Sequence, residues 1–141
     1  MPNPEMVGKS LQASLTVKDL QKSVTWYVDL VGFKADRRIE RDGTLRAMAV
    51  SAGDVRIILN QDDGAKGWDR IKGQGLSLQI TTTQNVDEIA RRITQGGGSL
   101  ETEPKDMPWG ARVFRVRDPD GRFIGVYRDQ GTKAVPEVIV A

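Results

Sequence analysis

Two stretches of this chain carry the same order of hydrophobic patterns, and that repetition limits its fold more than any single motif. Residues 11–17 alternate, with Leu11, Ala13, Leu15 and Val17 on one side and Gln12, Ser14 and Thr16 on the other, the two-residue period of a half-buried strand. Asp19 stands as an N-cap before Leu20, Val24, Tyr27, Val28 and Val31, which recur at helical spacing until Gly32 stops the helix. Residues 33–41 and 44–51 read as strands joined at Asp42-Gly43, a strong hairpin signal, and residues 55–60 as a further strand. Residues 61–74 are polar, glycine-rich and carry Trp68, which marks a loop between halves.

The second half repeats that order. Residues 76–82 alternate again, Leu76, Leu78 and Ile80 against Ser77, Gln79 and Thr81. Val86, Ile89, Ala90 and Ile93 mark an amphipathic helix, capped by Thr83 or Asn85 and ended by Gly96-Gly97-Gly98. A short strand near 99–103 leads through a loop carrying Pro104, Pro108 and Trp109 to strands 111–117 and 122–128, joined at Asp118-Pro119-Asp120-Gly121. Pro119 presets φ there, the Asp side chains can accept from nearby backbone N–H groups, and Gly121 tolerates φ > 0. Alone, that tetrapeptide is only a turn. The two halves overlay at an offset of about 65 residues, with Leu15 on Ile80, Leu20 on Val86 and Gly32 on Gly98. The expected class is α+β: one domain over 1–141, in which βαβββ modules at 10–60 and 75–128 form a curved mixed-sheet cup with helices outside. Residues 61–74 are the linker and 129–141 a tail.

Composition removes several function classes. The 21 basic and 19 acidic residues leave a net charge of +2, too balanced to predict a nucleic-acid partner. With no cysteine there is neither a disulfide framework nor a thiolate zinc site. No run approaches the ~18–20 apolar residues of a membrane span, and the N-terminus has no apolar signal core, so a cytoplasmic location is expected. The chain also lacks histidine, which removes the usual base for a serine nucleophile.

The paired modules, the run Val17-Lys18-Asp19-Leu20-Gln21-Lys22-Ser23 leading to Trp26-Tyr27 and Val31-Gly32-Phe33, and the closing Asp118-Pro119-Asp120-Gly121 resemble the vicinal oxygen chelate superfamily. That is the glyoxalase, bleomycin-resistance and extradiol dioxygenase group. The resemblance implies a divalent metal in the cup of the family's enzymes, held by residues of the first and fourth strands of each module. Carried over slot by slot, those positions fall on Gln12 and Ile58, then on Ser77 (or Leu76 or Leu78 if the register slips) and Gly125. Imidazole and carboxylate are the usual donors, so no catalytic metal or other cofactor is expected. No Asp or Glu falls at an inward slot to serve as a general base, which argues against an enzyme.

A cup that binds remains. If Gly125 faces inward, so do Phe123 and Tyr127, because i and i±2 share a face, and the glycine leaves room for a flat ligand. The expected ligand-binding set is Gln12, Ser14, Ile58, Trp68, Ser77, Gln79, Trp109, Phe123, Gly125 and Tyr127, with the two loop indoles either capping the pocket or simply packed. Trp26 is expected in the core or an interface. Arg112, Arg115, Arg117, Arg122 and Arg128 either meet an anionic ligand or are solvated edges that deter strand aggregation. The resemblance points to the bleomycin-resistance-like branch, metal-free proteins that sequester planar aromatic or glycopeptide antibiotics as homodimers. A slightly basic chain departs from binders of cationic bleomycin. The leading expectation is therefore binding of a planar small molecule, with Trp26 and the apolar tail 135–140 serving dimerisation. A superfamily lyase, isomerase or dioxygenase with atypical metal ligands is the alternative, and a subunit or regulatory protein the third class. Whether the modules pair within a chain or between protomers stays open.

Overall fold

The computed structural model describes residues 4–129. The apolar tail at 135–140 lies outside the described residues. Two four-stranded sheets, each with a helix laid on one face, make up the described chain. In the first, β1 (Gln12–Val17), β2 (Lys34–Arg41), β3 (Thr44–Ala52) and β4 (Val55–Gln61) are ordered β1-β4-β3-β2. In the second, β5 (Ser77–Thr82), β6 (Leu100–Asp106), β7 (Ala111–Arg117) and β8 (Phe123–Asp129) are ordered β5-β8-β7-β6. The orders match strand for strand, β1 pairing parallel with β4 as β5 does with β8. The repeat read from the sequence is thus a repeat of topology.

Local chemistry explains the element ends. Asp19 caps helix α1 (Leu20–Thr25) by accepting from Lys22 N at 3.1 Å. The helix then widens into a π-helical stretch, Trp26–Val31, which ends at Gly32 with φ of 101°. In α2 (Val86–Gln95) the cap is Asn85, whose Oδ1 accepts from the N–H groups of Asp87 and Glu88. Asp42 and Gly43 both have positive φ, 53° and 76°, the arrangement whose twist suits a two-residue hairpin.

The expected short strand at 99–103 is longer than its sequence suggested. It runs to Asp106 through Pro104, with register shifts between Leu100 and Thr102 and again before Lys105. Pro104 is tolerated because β6 is an edge strand with one side of its ladder unpaired.

One apolar cluster spans both modules. Leu15, Val17, Tyr27, Phe33, Met48, Val50, Ile57 and Leu59 of the first join Val86, Ile93, Phe114, Val116, Ile124 and Val126 of the second. Tyr27 meets Phe33 edge-on, with ring centroids 5.7 Å apart. Trp26 is partly buried and packs edge-on to Tyr27 at 4.8 Å, so it belongs to the core side.

The modules are also locked by polar contacts. Tyr27 Oη donates to Asp118 Oδ2 at 2.8 Å, and Asp118 Oδ1 accepts from the N–H groups of Asp120 and Arg122. The Arg122 guanidinium reaches Asp118 at 3.2 Å and donates to the Thr16 carbonyl at the end of β1. Asp120 accepts from Lys18 N at 3.0 Å. From α2, Arg92 donates to the Leu30 and Val31 carbonyls. The Asp-Pro-Asp-Gly turn is therefore a junction between halves as well as a hairpin corner.

Candidate functional site

Strand alternation and register together define the open face of each sheet. On β1 and β4, Leu15, Val17, Ile57 and Leu59 are in the core, which turns Gln12, Ser14 and Thr16 and their register partners Arg56, Ile58 and Asn60 to the other side. Asn60 Nδ2 donates to Ser14 Oγ at 2.9 Å across that side. On β3 the same face carries only small groups, Ala47, Ala49 and Ser51, opposite Asn60, Ile58 and Arg56. The first module thus offers a shallow floor of small side chains with polar walls.

The second open face is built in rows across β5, β8 and β7. Gln79, Gly125 and Arg115 form one row, Ser77, Phe123 and Arg117 the next, and Thr81, Tyr127 and Val113 the third. Phe123, Gly125 and Tyr127 do share a face, with Ile124 and Val126 buried on the other. The space above Gly125 is not empty, however. A Cβ built there would lie 2.5 Å from the Gln79 carboxamide oxygen, and Gln79 Nε2 is turned to donate to Ser77 Oγ at 3.0 Å. Nor is Phe123 fully free: the Arg117 guanidinium stacks over its ring at 4.1 Å and is itself held by Glu101 at 3.2 Å. A ligand on this face meets an amide and a stacked guanidinium before it meets bare backbone or a bare ring.

The chain does not gather all ten expected binding residues into one place. Gln12, Ser14 and Ile58 lie on one face and Ser77, Gln79, Phe123, Gly125 and Tyr127 on the other, and no hydrogen-bonded strand pair joins the two sheets. A cavity of 520 Å³ beside the second face is lined by Ile71, Leu76, Ser77, Arg117 and Phe123 among others. A second, of 380 Å³, is lined by Lys18, Lys22, Ser23, Trp68, Pro119 and Asp120. Neither holds residues from both faces. Trp68, 50% exposed, lies against Gly64 at the module junction, apart from the sheet faces. Trp109, 45% exposed, sits in the β6–β7 turn and lines neither cavity.

The five arginines separate. Arg112 is drawn to α2, where it holds Asp87 through two bonds of 2.7 and 2.9 Å. The Asp87 carboxyl is held below the usual range first by that hydrogen bond. Arg122 is buried in the junction and Arg128 is exposed at the end of β8. Only Arg115 and Arg117 reach the open face. The linker between the modules is pinned by another buried pair, Asp62 Oδ2 and Lys72 Nζ at 3.0 Å, with side-chain exposures of 4% and 3%. The Gly64 N–H, and then Lys72, depress the Asp62 carboxyl.

The family model described as the Glyoxalase/Bleomycin resistance protein/Dioxygenase superfamily matches residues 9–126. This chain belongs to that superfamily. A lactoylglutathione lyase of Salmonella typhimurium is 30% identical over 118 residues, covering 79% of this chain and 85% of that protein. Among solved structures, TnmS3, an antibiotic binding protein from a Streptomyces species, superposes with a TM-score of 0.69 at 25% identity, covering 89% of this chain and 99% of that one. TioX from a Micromonospora species gives 0.71 at 24% identity, covering 86% and 99%, and supports the fold alone.

The superfamily's enzymes imply a divalent ion between the sheet faces, and the donors here do not fit one. Gln12 offers an amide oxygen beside the Arg56 guanidinium, and the fourth-strand slot holds the apolar Ile58. The opposite slots hold Ser77 and Gly125. Among the described residues no three of His, Cys, Asp or Glu are grouped as a metal site would need. Sequence reasoning missed Ala47, Ala49, Ser51 and Arg56, although small residues alternate with Met48 and Val50 along β3 and signal an open face.

Proposed function

We propose that this superfamily member binds a planar small molecule, without a catalytic metal, between the open sheet faces of two protomers in a homodimer. The observation that carries the reading is the donor set of those faces: amides, hydroxyls, guanidinium groups and two aromatic rings, with no imidazole and no grouped carboxylates. Such a set orients a ligand by hydrogen bonds and stacking but supplies neither Lewis acid nor base. Two open faces of complementary character, one floored by small residues and one bearing rings, favour closure by a second copy. The likeness to TnmS3 supports a ligand of antibiotic or aromatic-metabolite type.

A thermal-shift screen of aromatic antibiotics and phenolic metabolites, repeated on Gly125→Leu, tests the reading. The added side chain must displace the Gln79 amide, so hits should lose binding while the variant keeps its fold. Hits that bind Gly125→Leu as well as the parent would place the site elsewhere. The 30% identity to a lactoylglutathione lyase favours one second reading, a lyase or related enzyme of the superfamily with atypical ligands. Elemental analysis after dialysis separates the two: about one ion per chain, lost in Gln12→Ala together with isomerisation of the methylglyoxal–glutathione hemithioacetal, would establish the enzyme.

A further inference from the structure

We infer that the ligand of these faces is a planar organic acid, with its anionic group received by Arg115 on one face and Arg56 on the other. The inference rests on the binding reading above and narrows it to one charge type.

The charge of the faces is the starting point. In the register rows of the first face stand Lys34, Arg37 and Arg56; those of the second hold Lys105, Arg115 and Arg117. No carboxylate occupies any of those rows. Glu101 reaches the second face only by gripping Arg117. Asp129 lies at the outer end of β8, opposite Ala111, and has a partner of its own. The chain as a whole has only +2 of net charge, while these rows hold six cations and no carboxylate; Asp36 and Glu103 fall at the register irregularities of β2 and β6, outside the paired rows. A surface built merely for solubility intersperses both signs.

Several arginines away from the faces are engaged, whereas Arg41, Arg46, Arg91 and Arg128 are exposed as Arg56 and Arg115 are. Arg112 is held by Asp87 and Asp106, Arg122 by Asp118, and Arg92 by two helix carbonyls. Arg56 and Arg115 have no hydrogen bond or ion pair among the described residues. Each adjoins a position already expected to touch ligand, Gln12 in one case and Gly125 in the other. A guanidinium beside a hydrogen-bonding amide and an aromatic ring matches a carboxylate or sulfonate on a flat ring system, through paired N–H donors. A cationic ligand would meet repulsion from both walls.

The test uses three probes of one shape: 1-naphthoate, 1-naphthamide and 1-naphthylmethylammonium, titrated by calorimetry into the parent, Arg56→Gln, Arg115→Gln and the control Arg91→Gln on α2. Naphthoate should bind about tenfold or more tighter than the amide, and the ammonium compound more weakly than either. Raising NaCl should shrink the difference. Either face variant should bring naphthoate down to the amide's affinity and leave the amide unchanged, with Arg91→Gln like the parent. Equal binding of naphthoate and naphthamide, or a naphthoate preference that survives both face variants, would overturn the inference while leaving a neutral-ligand cup intact. If no probe binds, or all bind Gly125→Leu as well as the parent, the cup itself is not the site and both readings fall.

Discussion

The Tyr27 hydroxyl of the first module donates to the Asp118 carboxylate of the second at 2.8 Å, with both side chains buried. The same carboxylate holds Arg122, which in turn reaches back to the Thr16 carbonyl. Three groups so joined should be unequal in cost when removed. Tyr27→Phe deletes one hydrogen bond to a charged acceptor and should cost about 1–3 kcal/mol. Asp118→Ala leaves the buried Arg122 cation with only the longer contact to Asp120, 3.7 Å, and should cost about 3–5 kcal/mol. Urea unfolding measures both, and equal midpoints for the two variants would contradict this account of the junction.

Tyr27 also makes a prediction at high pH. Burial, and then the Asp118 charge, push its phenol far above the ordinary value. The unfolded chain releases that proton near pH 10 and the folded one does not. The stability this tyrosine contributes is complete below about pH 10 and is lost as the solution becomes more alkaline. The absorbance change at 295 nm in the parent, less that of Tyr27→Phe, should therefore appear only as far-UV circular dichroism is lost. A difference that develops while the fold is intact would show the hydroxyl to be accessible.

At low pH the linker pair matters. Asp62 titrates below the usual range in the folded protein, so its contribution is present above about pH 3.9 and fades as pH falls through the folded value. Asp62→Asn should be less stable than the parent at pH 7, because Lys72 stays buried with its charge uncompensated. The gap between them should narrow below about pH 4. Urea midpoints collected from pH 7 to pH 2.5 check this, and a gap that does not vary with pH would exclude the ion pair as its source.

Assembly can be measured directly. Light scattering at micromolar concentration should give twice the 15.6 kDa of one chain, since the proposed site closes between two protomers. A single-chain mass across that range would remove the dimer from the proposal.

Much of the architecture was legible because it is written in short periods. Alternation at Gln12–Val17 and Ser77–Thr82 assigned both faces of the strands that carry the expected site, and Asp42-Gly43 and Asp118-Pro119-Asp120-Gly121 located two hairpin corners. Strand parity could also have separated Arg115 and Arg117 from Arg112. Burial of Arg122 could not be foreseen, because it depends on β1 ending beside the closing turn. Nor could the π-helical stretch, since Tyr27 and Val31 satisfy an ordinary helical spacing equally well. The length of β6 was hidden by Pro104, which reads as a breaker until the strand is known to be an edge. The loop indoles were the weakest inference: their surroundings are set by tertiary contacts that no local pattern encodes.

Two separate open faces have a consequence for stoichiometry. On the proposed arrangement each protomer holds two half-sites and no whole one, so a closed pair has two equivalent sites and takes up one ligand per chain. Ligand and second subunit then stabilise each other by mass action. Dilution should discharge bound ligand even where the free ligand concentration is held constant, and a saturating ligand should hold the pair together at dilutions where the empty protein falls apart.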